Sequence, residues 1–452
     1  MKKLKIIITL IIVNILTNAE TSAQDSHYWT NQYGTEASLL GGLVVGSMHD
    51  LSSTFYNPGT LALTTDQILT ISTDAFQITR INIDAISTDL PNLESSTSGS
   101  LPGIIAFRLP IEELGRHQLA FSVLTRDKVE TDFYGRDINP LGANGVTAND
   151  GFSFQNFSER WFGISWGYMI AEKVGIGISQ YVAVRSQRQR IQVINQFLED
   201  PLTAGARILF SDVYFNNFKI LWKAGIIFDN KPLSFGLTIT TPSLNLFNTS
   251  ADASLNISQI SSRGEEQFIA ANDEKELNSF YKSPLSIGAG AAYFFGNTSL
   301  YITAEWFASI SQFSVLNTSP VPVIPNGAVI PNQNLLSRSS VFNYGLGVKH
   351  IVSQNFSIYG SVFKNDSSHD PNLTSKYSLS TYDILHILGG TAFKYKILDL
   401  ILGFGYAFGN AKVDPLSAIV DPTGNLYVSE GDQSADVSYN NYKIVFAFSI
   451  TI

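Results

Sequence analysis

Bulky apolar residues recur at every second position over many short stretches of the chain. That is the period of a strand with two unlike faces. In 442–452 the even positions are Tyr442, Ile444, Phe446, Phe448, Ile450 and Ile452, with Lys443, Val445, Ala447, Ser449 and Thr451 between them. In 398–408 Leu398, Leu400, Leu402, Phe404, Tyr406 and Phe408 alternate with Asp399, Ile401, Gly403, Gly405 and Ala407. The same period runs through 174–182, 233–241 and 300–306. It predicts 14 strands, near 67–85, 102–109, 117–131, 156–170, 173–190, 207–229, 231–248, 280–295, 297–310, 338–352, 354–365, 383–396, 397–410 and 438–452.

Alternation alone does not separate a soluble sandwich from a membrane barrel, because both have one bulky face. The connections do. Short ones (110–116, 171–173, 229–231, 296, 353–354, 395–396) alternate with long ones (86–101, 132–155, 191–206, 249–279, 311–337, 366–382, 411–437). Tight turns at one end and long loops at the other are the pattern of outer-membrane barrels, and a sandwich has no reason to sort its loops this way. The expected fold is therefore all-β, a transmembrane antiparallel up-and-down barrel of 14 strands.

Composition sharpens this picture. Charged residues are only 15% of the 452, and Phe (30) and Tyr (19) are abundant, yet no later stretch approaches the roughly 18 apolar residues of a helical span. Aromatic groups near strand ends (Trp161, Trp166, Tyr168; Trp222, Phe228; Tyr293, Phe294, Phe295) read as interfacial girdles. Residues 1–24, with Lys2, Lys3 and Lys5 before an apolar run from Ile6 to Leu16 and a site at Thr21-Ser22-Ala23, read as a cleaved signal peptide. Without them, 29 basic and 38 acidic residues fall to 26 and 37, a net charge of −11. An acidic chain offers no basic face to a nucleic acid, so no such partner is expected. There is no cysteine, hence neither a disulfide nor an acylated-cysteine anchor.

Residues 25–66 precede the first strand and do not read as a strand pair. They hold Gly41-Gly42, Gly46, Asp50, Ser52, Asn57-Pro58-Gly59, Leu61 and Ala62 in that order. Proline after asparagine ends any helix at Asn57 and sets a turn. This order resembles the signature of the outer-membrane long-chain fatty-acid and hydrocarbon transporters (FadL-type, the OMPP1/TodX-like group). The resemblance implies a domain plan: signal peptide 1–24, a small hatch 25–66 that plugs the lumen, and a barrel 67–452. It places hatch and gating roles on Asp50, Ser52, Asn57, Pro58 and Gly59. Gly59 stands where the family has alanine, which is expected to loosen the turn. In that family the third strand kinks inward at proline and glycine and opens a lateral gap. Residues 119–133 contain neither, and the charged triplet Arg126-Asp127-Lys128 is the candidate for the equivalent bulge.

Other chemistry is thin. Gly288-Ala289-Gly290 and Gly403-Phe404-Gly405 lie inside strands, not at strand-to-helix turns, so they read as small inward residues and not phosphate loops. With six histidines and no HExxH or GxSxG, no catalytic residue, metal site or cofactor is assigned. Residues 366–370 (DSSHD) read as a solvated loop rather than a cation site, and Arg185 to Arg190 as a hydrated rim. Glu305, Lys219 and Lys223 are placed in the lumen. The apolar loop Pro320 to Pro331 is expected to pack on the barrel rim. The resemblance implies a monomer in the bacterial outer membrane that passes long-chain fatty acids or similar hydrophobic small molecules inward, touching lipid outside. Substrate-binding residues stay unassigned. The alternative is a barrel that docks secretion or surface proteins.

Overall fold

The computed structural model describes residues 26–451 apart from 48–49, 65–66, 85–91, 112–114, 142–144, 201, 248–249, 263–266, 326, 331, 333, 371–379, 414–417, 421–425 and 429–434. The expected signal peptide, 1–24, lies outside the described residues. The wall strands are β1 (Gln67–Ile83), β2 (Leu93–Leu109), β3 (His117–Leu141), β4 (Gly145–Ala171), β5 (Val174–Asp200) and β6 (Thr203–Asn230). Next come β7, in three runs (Leu233–Thr240, Leu244–Phe247, Ser250–Ser261), and β8, in two (Phe268–Asn278, Ser286–Phe295). They are followed by β9 (Thr298–Phe307), β10 (Val341–Ser353), β11 (Phe356–Asn365), β12 (Ile384–Tyr395), β13 (Leu398–Val413) and β14 (Ala435–Thr451). Each pairs antiparallel with the next, and β14 returns to β1 from Gln67↔Thr451 to Ile83↔Val437. The 14-strand barrel is therefore closed on itself.

The predicted alternation becomes the two faces of this wall. Outward positions carry Phe162, Ile164, Phe235, Leu237, Ile302, Leu346, Phe404 and Ile444, all exposed. Their neighbours Gly163, Gly236, Thr303, Gly345, Gly403 and Lys443 face the lumen. An apolar outer band with an inner face of small and polar residues is the pattern that hydrocarbon imposes on a spanning strand.

Several predicted loops are instead strand. Residues 132–155 continue β3 and β4 into a hairpin closed at Leu141↔Gly145, 191–206 close β5 onto β6 at Asp200↔Thr203, and β2 begins at Leu93. Strands β3 to β6 are 25 to 28 residues long, against the 9–11 or so a tilted span needs. They rise far beyond the membrane. There both faces are wet, so the apolar alternation fades although the ladder continues. The loop Pro320 to Pro331 packs as expected: Val321, Val323 and Ile330 are buried against Leu255, Ile257 and Phe268 on the upper runs of β7 and β8.

The raised hairpins carry their own ionic staple. Arg188 and Arg190 of β5 each place Nη2 within 2.7 Å of Asp212 Oδ2 on β6 (2.7 and 2.6 Å). Partial burial pushes the Asp212 carboxyl up, but hydrogen bonds from Arg188 and Arg190 outweigh it and hold the group below the usual carboxylate range. A depressed carboxyl stabilises fully above its unfolded value of about 3.9 and loses that contribution as pH falls through the folded value. Asp212→Asn should therefore lower hydrogen-exchange protection of the 186–214 region several-fold at pH 7. The difference from the parent should shrink as pH falls through the folded value of Asp212. Equal protection at pH 7 would mean the arginines are held by solvent alone, as many half-exposed pairs are.

Candidate functional site

Residues 26–64 lie inside the barrel and are almost wholly buried. Two short helices, α1 (Glu36–Leu39) and α2 (Ser53–Tyr56), and a 3-10 turn at Pro58–Leu63 give the segment its form. Asp50 organises it. Its Oδ2 accepts from Thr35 N and Oγ1 (both 2.7 Å), and its Oδ1 from Ser52 N (2.8 Å) and the Ser52 hydroxyl. Four donors satisfy this buried carboxylate, which has no ion-pair partner among the described residues. Ser52 is thus part of the Asp50 cluster.

Asn57 ties this segment to the wall. Its Nδ2 donates to Val45 O (2.8 Å) within the segment and to Ile226 O (3.0 Å) on β6, while its Oδ1 accepts from Gly59 N (3.0 Å). Pro58 follows as the first residue of the 3-10 turn, where a missing N–H costs nothing. The wall meets the turn with glycines. A Cβ on Gly225 would stand 2.1 Å from Asn57 Oδ1, and one on Gly177 2.1 Å from Pro58 O. Gly59 answers in kind: its own Cβ would fall 2.8 Å from Gly225 O and 2.9 Å from Gly175 O. The expectation that Gly59 loosens the turn is corrected. It lets two backbones touch where alanine would not fit. Wall hydroxyls complete the seat: Ser179 and Tyr181 both donate to Thr54 O (2.6 Å each), and Ser234 to Gly46 O (2.6 Å).

Above the segment lies a cavity walled by Trp29, Phe55, Tyr56, Trp161, Tyr281 and Phe307, with five Arg or Lys side chains (Arg126, Arg185, Lys223, Lys282, Arg338) and three carboxylates (Asp127, Glu159, Glu305). Two of the carboxylates are spoken for. Glu159 pairs with Lys219 Nζ (2.9 Å) and Arg185 Nη1 (3.4 Å), and Glu305 accepts from Trp29 Nε1 (2.8 Å) and Ser286 Oγ (2.7 Å). Arg126 and Lys223 have no carboxylate within ion-pair distance among the described residues. Both lie against Phe55, at 5.6 and 4.9 Å from its ring centre, and Arg126 also lies 5.6 Å from Trp161. Asp127, Glu159 and Glu305 act on Arg126, and Glu305 on Lys223, only from beyond contact, so cations set against aromatic faces keep a contact position for an anionic guest.

The triplet Arg126-Asp127-Lys128 separates here. The ladder of β3 on β4 slips between Thr125 and Asp127, so Arg126 is the bulge residue. Its Nη2 donates to Tyr28 O (2.6 Å), and its carbonyl accepts from Tyr33 OH (3.2 Å) and Asn31 Nδ2 (3.3 Å). Asp127 lines the cavity; Lys128 is half-buried and does not. Beside the bulge, β2 and β3 pair from Leu109↔Leu119 up to Ile104↔Leu124 and next at Glu94↔Tyr134. Between these points a side-chain bond crosses, from Asp132 N to Ser95 Oγ (3.0 Å). Pro102-Gly103 stands on β2 within this interval.

Lys219, Lys223 and Glu305 face the lumen as expected. Arg185 is no hydrated rim residue: it is buried, 4.0 Å from the Tyr281 ring centre and 4.1 Å from that of Phe157. Trp161 is no girdle residue either. Its parity with the buried odd positions of β4, opposite to Trp166 and Tyr168, is the signal that places it inside. Asp366 is ion-paired to Lys364 (2.6 Å), which also reaches Asp383 (3.0 Å), and Asp370 accepts from Ser337 Oγ (2.8 Å).

Neither a protein-family model nor a curated protein matches the sequence. Solved structures do match. A Pseudomonas aeruginosa FadL homologue aligns over 95% of this chain and 99% of its own, with a TM-score of 0.61 at 13% identity. The P. putida toluene transporter TodX covers 93% and 99%, at TM-score 0.61 and 11% identity. The Ralstonia pickettii toluene transporter TbuX covers 93% and 99%, at 0.56 and 12%. The chain has the fold of the FadL-type channels. The likeness spans wall and lumen segment together, since the matched chains are covered almost end to end.

Proposed function

We propose that this protein passes hydrophobic small molecules inward across the bacterial outer membrane, without energy coupling, and that residues 26–64 are a movable hatch. The observation that carries this reading is the cavity. It is aromatic, sits directly on the buried segment, and holds Arg126 and Lys223 without carboxylate partners. A neutral hydrocarbon has no use for those charges. A carboxylate with an apolar tail would bring the anion in contact that they lack and lay its tail on Phe55 and Trp161. Long-chain fatty acids are therefore the proposed substrate class. Phe55 and Asn57 are two residues apart, so a guest at Phe55 bears directly on the turn that seats the hatch. The β2–β3 break beside Arg126 supports a lateral way out.

Uptake of labelled oleate and of labelled toluene should be compared in a host lacking its own fatty-acid transporter. The parent should raise oleate uptake well above empty host. Arg126→Gln with Lys223→Gln should cut oleate uptake about tenfold, the worth of one lost charge-assisted contact, while toluene entry changes less than twofold. Oleate uptake no greater than empty host would overturn the fatty-acid assignment. Equal loss of both probes would overturn the role of the charges.

A further inference from the structure

The wall is interrupted a second time, between β7 and β8. Below the interruption Thr240 pairs with Ser286, and above it the ladder resumes at Ser250↔Asn278. Pro242 and Pro284 stand in the interval. Neither has an N–H for the ladder, and proline inside a sheet marks a bulge or a break. The outward face changes parity across both. On β7 it passes from Ile239 to Leu244 and Leu246, and on β8 from Phe280 to Ile287, all of them exposed.

Three side-chain bonds and one backbone bond close the interval instead of a full ladder. Asn245 Nδ2 donates to Tyr281 O (3.1 Å), and its Oδ1 accepts from Tyr281 N (3.2 Å). Ser283 N donates to Ser243 Oγ (2.8 Å), and Ser243 N to Ser283 O (3.3 Å). The β8 backbone turns away to other partners here: Phe280 N donates to Val315 O (2.9 Å) on the hairpin strand Ile310–Leu316. On the inner side Tyr281, Lys282, Ser283 and Pro284 all line the cavity. On the outer side Leu244, Leu246 and Phe280 are exposed. A seam one strand thick thus separates the cavity from the apolar belt.

Lys282 sits in that seam. It is half-buried, with its ammonium 5.5 Å from the Phe280 ring centre and 4.9 Å from that of Phe313, and no carboxylate lies within ion-pair distance among the described residues. A single-chain anion in the outer leaflet presents an acyl tail and a negative head at an interface. Leu244, Leu246 and Phe280 suit the tail, and Lys282 suits the head. Asn245 and Ser243 hold the seam with a few exchangeable bonds, where a full ladder would have to be unzipped.

We propose that the β7–β8 seam is a second lateral portal, which admits single-chain carboxylate amphipaths from the lipid side to Lys282 and the cavity. It deepens the transport reading and rests on it. The two passages have separate places on the barrel, one beside the Arg126 bulge and one at Lys282, and both open onto the same cavity.

The chain has no cysteine, so Ser243→Cys with Ser283→Cys gives one engineered pair and no other thiol. The full-length variant is first shown to keep the gel mobility of the folded barrel, oxidised and reduced. In reconstituted bilayers a diazirine-bearing palmitic acid should label the 279–285 peptide of the parent and of the reduced variant. Oxidation should lower that label at least fivefold. In cells, oleate uptake should fall at least fivefold on oxidation and return with reductant. Uptake unchanged by the lock overturns the portal, and so does absence of label at 279–285 in the parent. A parent that is labelled there but takes up no oleate overturns the transport reading while the seam stays a lipid-side binding site.

Discussion

Glu159→Gln should be the most destabilising single change in the lumen, lowering stability by about 3–5 kcal/mol, the usual effect of leaving a buried cation unpaired. The Lys219 side chain is 0% exposed, and without the Glu159 charge its remaining contacts among the described residues, Ser283 Oγ (2.9 Å) and the Tyr281 ring, are neutral. Arg185 suffers less, because Gln187 Oε1 still accepts from its Nη2 (2.9 Å) and two aromatic faces enclose it. The prediction therefore concerns Lys219. Glu159→Gln with Lys219→Met should recover most of the loss, since removing both partners of a buried pair is often nearly neutral. Denaturant melts of the detergent-solubilised barrel, read by tryptophan fluorescence, measure this; Trp161 Nε1 donates to Glu159 Oε1 (2.7 Å) and reports the change locally. A second readout moves the other way. The single variant frees positive charge beside the cavity, so oleate should bind it more tightly although the fold is weaker. Stability within about 1 kcal/mol of the parent would show that solvent reaches Lys219 and that the network is not dry.

The same network bears on the seam. Lys219 joins Glu159 on the β4 wall to Ser283 on β8, and Ser283 is half of the Ser243 pair that closes the interval. Loss of Glu159 thus loosens an anchor of the portal as well as the lumen. If the seam is a passage, the single variant combines weaker closure with stronger attraction for an anion.

What the sequence made legible follows from where water and lipid act. On the spanning part of the wall the two solvents differ, so Phe404 and Gly403 or Ile444 and Lys443 fall on opposite faces and period two is plain. Above the membrane both faces of β3 to β6 are wet, and residues 132–155 and 191–206 look like loops though they are ladder. The strands predicted over 231–248 and 280–295 also ran through Pro242 and Pro284, because apolar residues flank both, although the alternation changes parity there. Donor chemistry, not hydrophobicity, marked those breaks. The Asn57 turn was readable because asparagine before proline has few local solutions. The cavity was not, since Trp29, Phe55, Tyr281 and Arg338 come from the lumen segment, the seam and a hairpin that only the closed barrel brings together.

Gly225→Val should unseat the lumen segment while leaving the barrel closed. Gly225 faces inward on β6, so a side chain there leaves the lipid face and the ladders of β6 untouched. Its Cβ alone would lie 2.1 Å from Asn57 Oδ1 and 3.0 Å from Pro58 Cδ, and the valine methyls reach further. The wall cannot yield, because β5 and β7 hold β6 on both sides. The turn must move, and Asn57 then loses its bond to Ile226 O. A bond of this kind, lost with its buried partner left unsatisfied, costs about 1–3 kcal/mol. The remaining wall contacts, from Ser179, Tyr181 and Ser234 to carbonyls of the segment, cannot re-form around a displaced Pro58. Hydrogen exchange across 50–64 should rise by at least tenfold, with β6 and β14 as protected as in the parent. Single-channel conductance in a planar bilayer should rise from near closure to steady ion flow. Gly389→Ala is the matched control, since its nearest neighbour to an added Cβ is Tyr359 O at 3.6 Å, and it should change neither readout. Unchanged exchange and conductance in Gly225→Val would show that the segment is seated by its other wall contacts and that the Asn57 turn is not its latch.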